Sequence, residues 1–390
     1  MAYSWRPEEV LFLLGIPVPN RKEFEVPCPS CGSKRFAFNI TKGIGHCWHC
    51  DAKFDSAGYY AAARGMSLRE AREDIERNLG ITHSSNGEFT PPPRIVYKEE
   101  PVQEIPLASS DVTDKTIRAF LEELTLSEKH KYHLLSRGMV ESAIVASNYK
   151  SVPRYESVDS FALCKRLKES GCELKGVAGF FETKKGDATY VQLTSGILMP
   201  MVNYKNEYYG LQDRKDDEAR TYINDELEAK CAYFSSKNRK NGTGAVAGVH
   251  YACDFIWDMS AGCYKPVHDG GFILTEGIMK ADIAHAVSGL PIISVPGVNA
   301  LNHLKIELER LKSMGVHTIL LCYDMDYKTN PHVQKQLAKT EELIANCGLR
   351  LKKGDWESNV TVNGTQYNLN GLDDYLVFEK YGIVPRVKMK

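Results

Sequence analysis

The sequence predicts a multidomain chain that combines α+β and α/β architecture, and three observations carry that prediction. Cys28-Pro29-Ser30-Cys31 is followed 15 residues later by Cys47-Trp48-His49-Cys50. Two such knuckles at this separation read as a zinc ribbon, because tetrahedral Zn²⁺ takes four soft donors held on two tight turns. Residues 83–106 lack periodicity and are rich in Pro, Ser and Glu, the composition of a linker. From about Gly270 short apolar runs alternate with amphipathic stretches, as in a parallel sheet covered by helices on both faces.

The elements follow in order. Pro7 to Leu14 reads as a short helix leading into the ribbon, and Phe24, Val26, Phe36 and Phe38 alternate with other residues as small strands do. Ser56 to Leu79 reads as two helices split near Gly65, the second opened by the capping box Ser67-Leu68-Arg69-Glu70. Residues 1–82 thus form a first unit. A second, 107–268, begins with helices around Thr116 to Leu124 and Lys129 to Ser147. It continues with a hairpin, Ile197 to Val202 and Tyr208 to Gln212, around the turn Asn203-Tyr204-Lys205-Asn206. The third, 269–390, reads strand (Phe272–Thr275), helix (Met279–Val287), strand (Pro291–Val295), helix (Ala300–Met314), strand (Val316–Tyr323), helix (Val333–Asn346) and strand (Leu349–Leu351).

Composition sets bounds. At 390 residues, with 43% apolar and 25% charged, the chain reads as an ordinary globular protein of two or three domains. Met1 to Arg6 runs directly into Pro7-Glu8-Glu9 with no signal-peptide pattern. The cysteines outside the ribbon show no disulfide framework, so the cytoplasm is expected and no membrane partner. The net charge of -1 does not advertise nucleic-acid binding, so any such role needs a local basic patch. One exists: from Ala229 to Tyr251 no residue is acidic, while Lys230, Lys237, Arg239 and Lys240 are present. That segment either cradles phosphates or is a solvated loop. No Gly-x4-Gly-Lys-Ser/Thr loop occurs, which excludes a P-loop motor.

Three carboxylates are placed to do chemistry. Glu276 follows the first strand of the third unit, and Asp324 and Asp326 follow its third strand. The carboxyl ends of parallel strands share one edge, where ligands bind, and oxygen donors gathered there suit Mg²⁺ or Mn²⁺. Arg214, at a hairpin strand end, could grip a phosphate or form a salt bridge at the rim. Trp48 and His49 protrude between zinc ligands, where either could meet a base; Trp48 could equally pack on the following helices.

Glu276-Gly277 after one strand and Asp324-x-Asp326 after a later one resemble the Toprim domain. Joined to the N-terminal ribbon, they make the chain similar to DnaG-type and bacteriophage primases. Phe54-Asp55 with Gly65 to Ala71 resembles the end of the primase zinc-binding domain. Leu134-Leu135-Ser136-Arg137-Gly138-Met139 resembles the helical entry to the primase RNA-polymerase core, and Met199-Pro200-Met201 with Gly210 to Arg214 its hairpin. Tyr233-Phe234-Ser235-Ser236 resembles the basic stretch before Toprim. There are departures. Cys31 stands where bacterial primases usually have His, as in the phage branch. The Asp expected four residues after Glu276 is Lys280, with an acid instead at Asp282. A late acidic motif is reduced to Gly371-Leu372-Asp373-Asp374-Tyr375, and Ala232 stands beside Tyr233 where a lysine is expected.

The resemblance implies a primase RNA-polymerase core with a mixed α/β N-terminal subdomain and a Toprim subdomain. It implies a nucleotidyltransferase that makes short RNA primers on single-stranded DNA from ribonucleoside triphosphates, with a replicative helicase as a partner in trans. One structural zinc would sit on Cys28, Cys31, Cys47 and Cys50. Catalytic Mg²⁺ or Mn²⁺ would sit on Glu276, Asp324 and Asp326, with Asp282, Asp373 and Asp374 as further candidates. Arg214, Lys230, Tyr233, Lys237, Arg239, Lys240, Trp48 and His49 would meet nucleotide or DNA. The alternatives are another Toprim enzyme, of nuclease or topoisomerase type, and a non-catalytic single-stranded-DNA-binding replication factor.

Overall fold

The computed structural model describes residues 5–19, 22–81, 105–153, 158–183, 185–220, 222–223, 226–259, 263–267, 270–297 and 301–384. It divides into two compact units, 1–101 and 102–390. The proposed linker, 83–106, lies almost wholly outside the described residues.

In the first unit, helix α1 (Pro7–Leu13) precedes an antiparallel sheet of β1 (Glu23–Val26), β2 (Phe36–Asn39), β3 (Ile44–Cys47) and β4 (Lys53–Asp55) in that order. Strand alternation turns Phe24, Val26, Phe36 and Phe38 into one core. Helix α2 (Ser56–Arg64) supplies Tyr59, whose ring lies 5.1 Å from Phe36 and 5.8 Å from Phe38. Asp55 caps α2 by accepting from Gly58 N, and Gly65 ends it in a left-handed conformation. The expected capping box opens α3 (Leu68–Asn78): Glu70 N donates to Ser67 Oγ and Ser67 N to Glu70 Oε2.

The second unit starts with α4 (Ser110–Glu122), α5 (Glu128–Ser136) and α6 (Glu141–Ser147), followed by β5 (Lys150–Ser151) and α7 (Ser160–Glu169). Two expectations are corrected here. Helix α4 begins at Ser110 rather than Thr116, with Thr113, Thr116 and Ile117 buried. The stretch from Lys129 to Ser147 is two helices, broken where Gly138 takes φ +91° against Val377. Then come β6 (Phe180–Glu182), β7 (Ala188–Tyr190), the hairpin β8 (Gly196–Val202) and β9 (Tyr208–Lys215), the short pair β10 (Tyr222–Ile223) and β11 (Glu226–Leu227), and β12 (Cys231–Tyr233). The sheet order is β12-β9-β8-β5. Its core centres on Phe120, with the Phe180, Tyr190 and Phe234 rings 5.2 to 5.4 Å away.

The remaining elements are β13 (His250–Ala252), the hairpin β14 (Phe255–Asp258) and β15 (Cys263–Pro266), β16 (Phe272–Glu276), α8 (Ile278–Ser288), β17 (Ile292–Val295), α9 (Leu301–Ser313), β18 (Thr318–Leu321), α10 (Pro331–Asn346), β19 (Arg350–Lys353), the hairpin β20 (Asn359–Val362) and β21 (Thr365–Asn368), and α11 (Leu372–Tyr381). The five-stranded sheet runs β13-β17-β16-β18-β19, parallel except for β13. Both faces are covered, as the sequence predicts. Phe272, Leu274, Ile293 and Leu321 pack with α9 and α10, while Ile273 and Ile292 pack with Ala281 and Ala284 of α8. The other side of α8 meets the hairpin sheet through Ile278, Ile283, Ile197 and Met199, so the two sheets share a core. The mixed α/β fold class holds, with the antiparallel β13 edge as an addition. Among the described residues no helix is long and apolar enough to cross a membrane.

Candidate active site at the edge of the parallel sheet

Strand β16 ends on Glu276, and Gly277 turns the chain at φ +85°, a conformation side chains resist, so that α8 starts at once. Next door, Cys322 N donates to Leu274 O at 2.8 Å, which carries the chain past β18 to Asp324 and a 3-10 turn over Met325–Lys328. Asn370 holds that turn at three points. Its carbonyl accepts from Met325 N, its Oδ1 accepts from Asp326 N at 2.9 Å, and its Nδ2 donates to Asp324 Oδ2 at 3.1 Å. Beside it Gly371 admits a close approach. A Cβ there would lie 2.5 Å from Asp373 Oδ1 and 3.6 Å from both Asp324 Oδ1 and Asp374 Oδ2. Asp373 and Asp374, in the first turn of α11, are thereby gathered beside Asp324.

Two cations stand among these acids. Arg137, from the end of α5, pairs through Nη2 with Asp373 and reaches Asp374 at 3.5 Å. Lys280 Nζ lies 2.5 and 2.6 Å from the two oxygens of Asp324 and 3.5 Å from Glu276 Oε1. Burial pushes the Glu276 carboxyl above the ordinary glutamate value; Lys280 opposes the rise and Asp324 and Asp326 add to it. Burial and the Asp324 charge likewise raise Asp326, and burial with Asp373 pushes Asp374 up to about 6. The donor set fits a hard divalent cation: oxygen only, crowded, and short of positive charge. Asp373 Oδ1 is buried with no hydrogen-bond partner. The three strand-end acids do not themselves reach ligand spacing. Among the described residues, the four ribbon cysteines alone bring three or more such ligand atoms within 4.8 Å of one another.

Asp282 is not part of this group. Its oxygens accept from Tyr149 OH at 2.5 Å and meet His250 Nε2 at 2.9 Å, so both are already engaged within the protein. Because Val202 N donates to His250 Nδ1, the Nε2 atom carries the proton that points at Asp282. The basic segment divides. Burial, then the Arg137 charge, lowers Arg214 from the ordinary arginine value; the atoms packed around Lys230, then the Arg214 charge, lower Lys230 as well, although Lys230 is exposed to solvent, so these cations gather beside Arg137. Arg214 makes no ion pair among the described residues, so no rim salt bridge occupies it. Tyr233 lies on β12 opposite Gln212, its hydroxyl pushed up to about 12 by burial. Lys237, Arg239 and Lys240 instead follow Ser236, whose buried hydroxyl donates to Phe180 O at 2.7 Å. Arg239 lies over the Phe181 ring at 5.5 Å, and Lys240 O accepts from Glu182 N, which ties this part to the β6–β7 hairpin.

In the first unit the two knuckles repeat one geometry. Gly32 N donates to Cys28 O, Asp51 N donates to Cys47 O, and Gly32 and Asp51 both take positive φ. The Cys28–Cys50 and Cys31–Cys47 sulfur pairs lie 3.6 and 3.7 Å apart. Four sulfurs at about 2.3 Å from a tetrahedral Zn²⁺ would be separated by about 3.8 Å, so the set fits one such ion. Trp48 is 65% exposed, its ring edge-on to His46 at 4.6 Å rather than buried on the helices, and His49 is exposed outside the thiol cluster.

The sheet that carries the acids lies within residues 268–381, which match a family described as a domain of unknown function (DUF3854). Over a longer span, the chain is 25% identical across 305 residues to a curated protein of Thermotoga maritima. That relative is a DNA primase. The match covers 77% of this chain and 47% of the primase, so the chain spans about half of that relative's length. The primase resemblance read from the sequence is thus met in a curated primase. Among solved primase structures, the zinc-binding and RNA polymerase domains of the Aquifex aeolicus primase align with a TM-score of 0.46 at 15% identity, covering 98% of this chain and 83% of that one. The RNA polymerase domain of Mycobacterium tuberculosis primase DnaG aligns at 0.44 and 14%, covering 72% and 84%.

Two residues of the edge escaped assignment from sequence. Arg137 stood only inside a family-like segment, and its partner Asp373 is 236 residues away. Lys280 stood only as a departure, although its spacing of four from Glu276 on a helix start was a readable signal for a pair.

Proposed function

We propose that this chain synthesises short RNA primers on single-stranded DNA by nucleotidyl transfer. The observation that carries the reading is one sheet edge where Glu276 and Asp324 meet Lys280, with Asp326 on the same turn and Arg137 paired to Asp373 and Asp374 beside them. Likeness to the Thermotoga maritima DNA primase supports it. In this reading residues 1–82 read template, 83–106 tether them, 107–268 supply nucleotide-binding cations and 269–390 supply the acids.

Asp324 and Asp326 would hold Mg²⁺ or Mn²⁺, with Asp373 and Asp374 behind them. The bound ion would supply charge neutralisation at the triphosphate and at the departing pyrophosphate. Arg214 and Lys230 bind phosphate oxygens. Glu276, whose proton affinity burial raises, accepts the proton of the ribose 3′-hydroxyl. The 3′-oxygen forms its bond to the α-phosphorus, the bond from that phosphorus to the bridging oxygen breaks, and pyrophosphate leaves. In the first unit Cys28, Cys31, Cys47 and Cys50 would hold one structural Zn²⁺. The exposed Trp48 and His49 offer a ring to stack on a template base. Lys237, Arg239 and Lys240 track DNA backbone farther from the acids. A replicative helicase acting in trans is part of the same proposal.

The test supplies labelled ribonucleoside triphosphates, Mg²⁺ or Mn²⁺ and a random single-stranded DNA library. Template-dependent short RNA is expected. Cleavage of the DNA without incorporation would favour a Toprim nuclease, and binding without either reaction a non-catalytic replication factor.

A further inference from the structure

The strand-edge acids do not face one another across an open space, because an ammonium stands between two of them. Lys280 rises from the first turn of α8, four residues after Glu276. Its Nζ sits 2.5 and 2.6 Å from the two oxygens of Asp324, while Glu276 Oε1 is 3.5 Å away. Asn370 Nδ2 takes a further position on Asp324 Oδ2. Arg137 makes an equivalent claim on Asp373 and Asp374. The carboxylate of Asp326 is left without a hydrogen bond among the described residues, on an exposed part of the turn.

Two divalent ions held as a clamp lie about 3.5–4 Å apart and need carboxylate oxygens that bridge or flank both. Asp324 is central to the edge, and its two oxygens already face a fixed positive charge. The backbone of Lys280 is fixed in a helix whose buried face packs on the sheet, and its side chain, 26% exposed, is held in the cluster by Asp324 and Glu276. A divalent ion entering between Glu276 and Asp324 would meet that charge at contact distance, whereas one entering on the Asp326 side would not.

We propose that Lys280 is a tethered cation that takes the place of one divalent ion, so that the edge binds a single Mg²⁺ or Mn²⁺, on the Asp326 side. Lys280 is then a positioning residue: it holds Asp324, neutralises the inner half of the site and leaves Glu276 free of a second ion to serve as proton acceptor. The inference rests on the metal-edge reading above and goes further by fixing the number of ions.

The experiment titrates zinc-loaded, full-length protein with Mn²⁺ alone and counts bound ions by electron paramagnetic resonance. The edge ion is identified by its loss in Asp326→Ala. The wild type is expected to hold one edge Mn²⁺, Lys280→Arg also one, and Lys280→Met two, with the first bound at least tenfold more tightly. Two edge ions in the wild type, or one in Lys280→Met at unchanged affinity, would overturn the inference while leaving the metal-edge reading intact. No Mn²⁺ with or without Lys280 would overturn both. Should Lys280→Met fail to fold, the wild-type count decides alone.

Discussion

At the scale of single residues, the second unit keeps an acid where no partner meets it. Asp213 on β9 is wholly buried, neither oxygen has a hydrogen-bond partner, and a Cβ on Gly196 would lie 2.3 Å from its Oδ1. Alternation along β9 sends Arg214 to the other face. Burial pushes the Asp213 carboxyl from 3.8 to about 7, Lys215 opposing and Asp216 adding to the shift. A carboxyl whose folded pKa is raised binds its proton more tightly in the folded state. Its contribution to stability is therefore complete below about pH 4 and is lost as pH rises through about 7. Asp213→Asn should match the wild type near pH 4 and exceed it at pH 8 by on the order of a few kcal/mol. Urea unfolding at the two pH values measures this, and an equal difference at both would contradict it. Sequence patterning did not mark Asp213, because its burial depends on the sheet packing over it. Glu276, Asp324 and Asp326 were legible for the opposite reason: a strand end is a local signal.

At the scale of elements, local periodicity was enough wherever an element's own pattern decided its limits. The α2 stop at Gly65, the Ser67 capping box, the β8–β9 hairpin and the alternation from β16 to β19 all appear where the sequence puts them. It fell short at two points. The break between α5 and α6 is a glycine helix stop, with Gly138 at φ +91° and Met139 N donating to Leu134 O at 3.2 Å, and it is packed against Val377 of α11, whose Cγ2 would lie 2.6 Å from an added Cβ. Nothing near residue 138 announces that neighbour. Strand β13 was missed likewise, since only pairing with β17 makes the end of the basic segment extended. Gly138→Ala should cost about 2–4 kcal/mol, from backbone strain at positive φ together with overpacking. Val377→Ala in the same chain should restore only the overpacking part. Urea midpoints of the single and double variants test this; a neutral Gly138→Ala would show that the junction yields freely.

At the scale of the whole molecule, two units of different construction share one chain. The first is a small sheet whose four thiols close at zinc-like spacing, with small aromatic clusters rather than a large core. The second joins a hairpin sheet to a parallel sheet through α8, and brings Arg137 to acids that lie more than 200 residues away in sequence. That convergence could not be read from spacing, which is why sequence alone found the acids but not Arg137, which pairs with two of them. The central claim is that this edge joins ribonucleotides. The most direct measurement compares wild type with the double variant Asp324→Ala, Asp326→Ala for labelled ribonucleotide incorporation on single-stranded DNA with Mg²⁺ or Mn²⁺. Short RNA from the wild type, none from the double variant and equal zinc in both is the predicted result. Wild-type amounts of dinucleotide and primer from the double variant would contradict it.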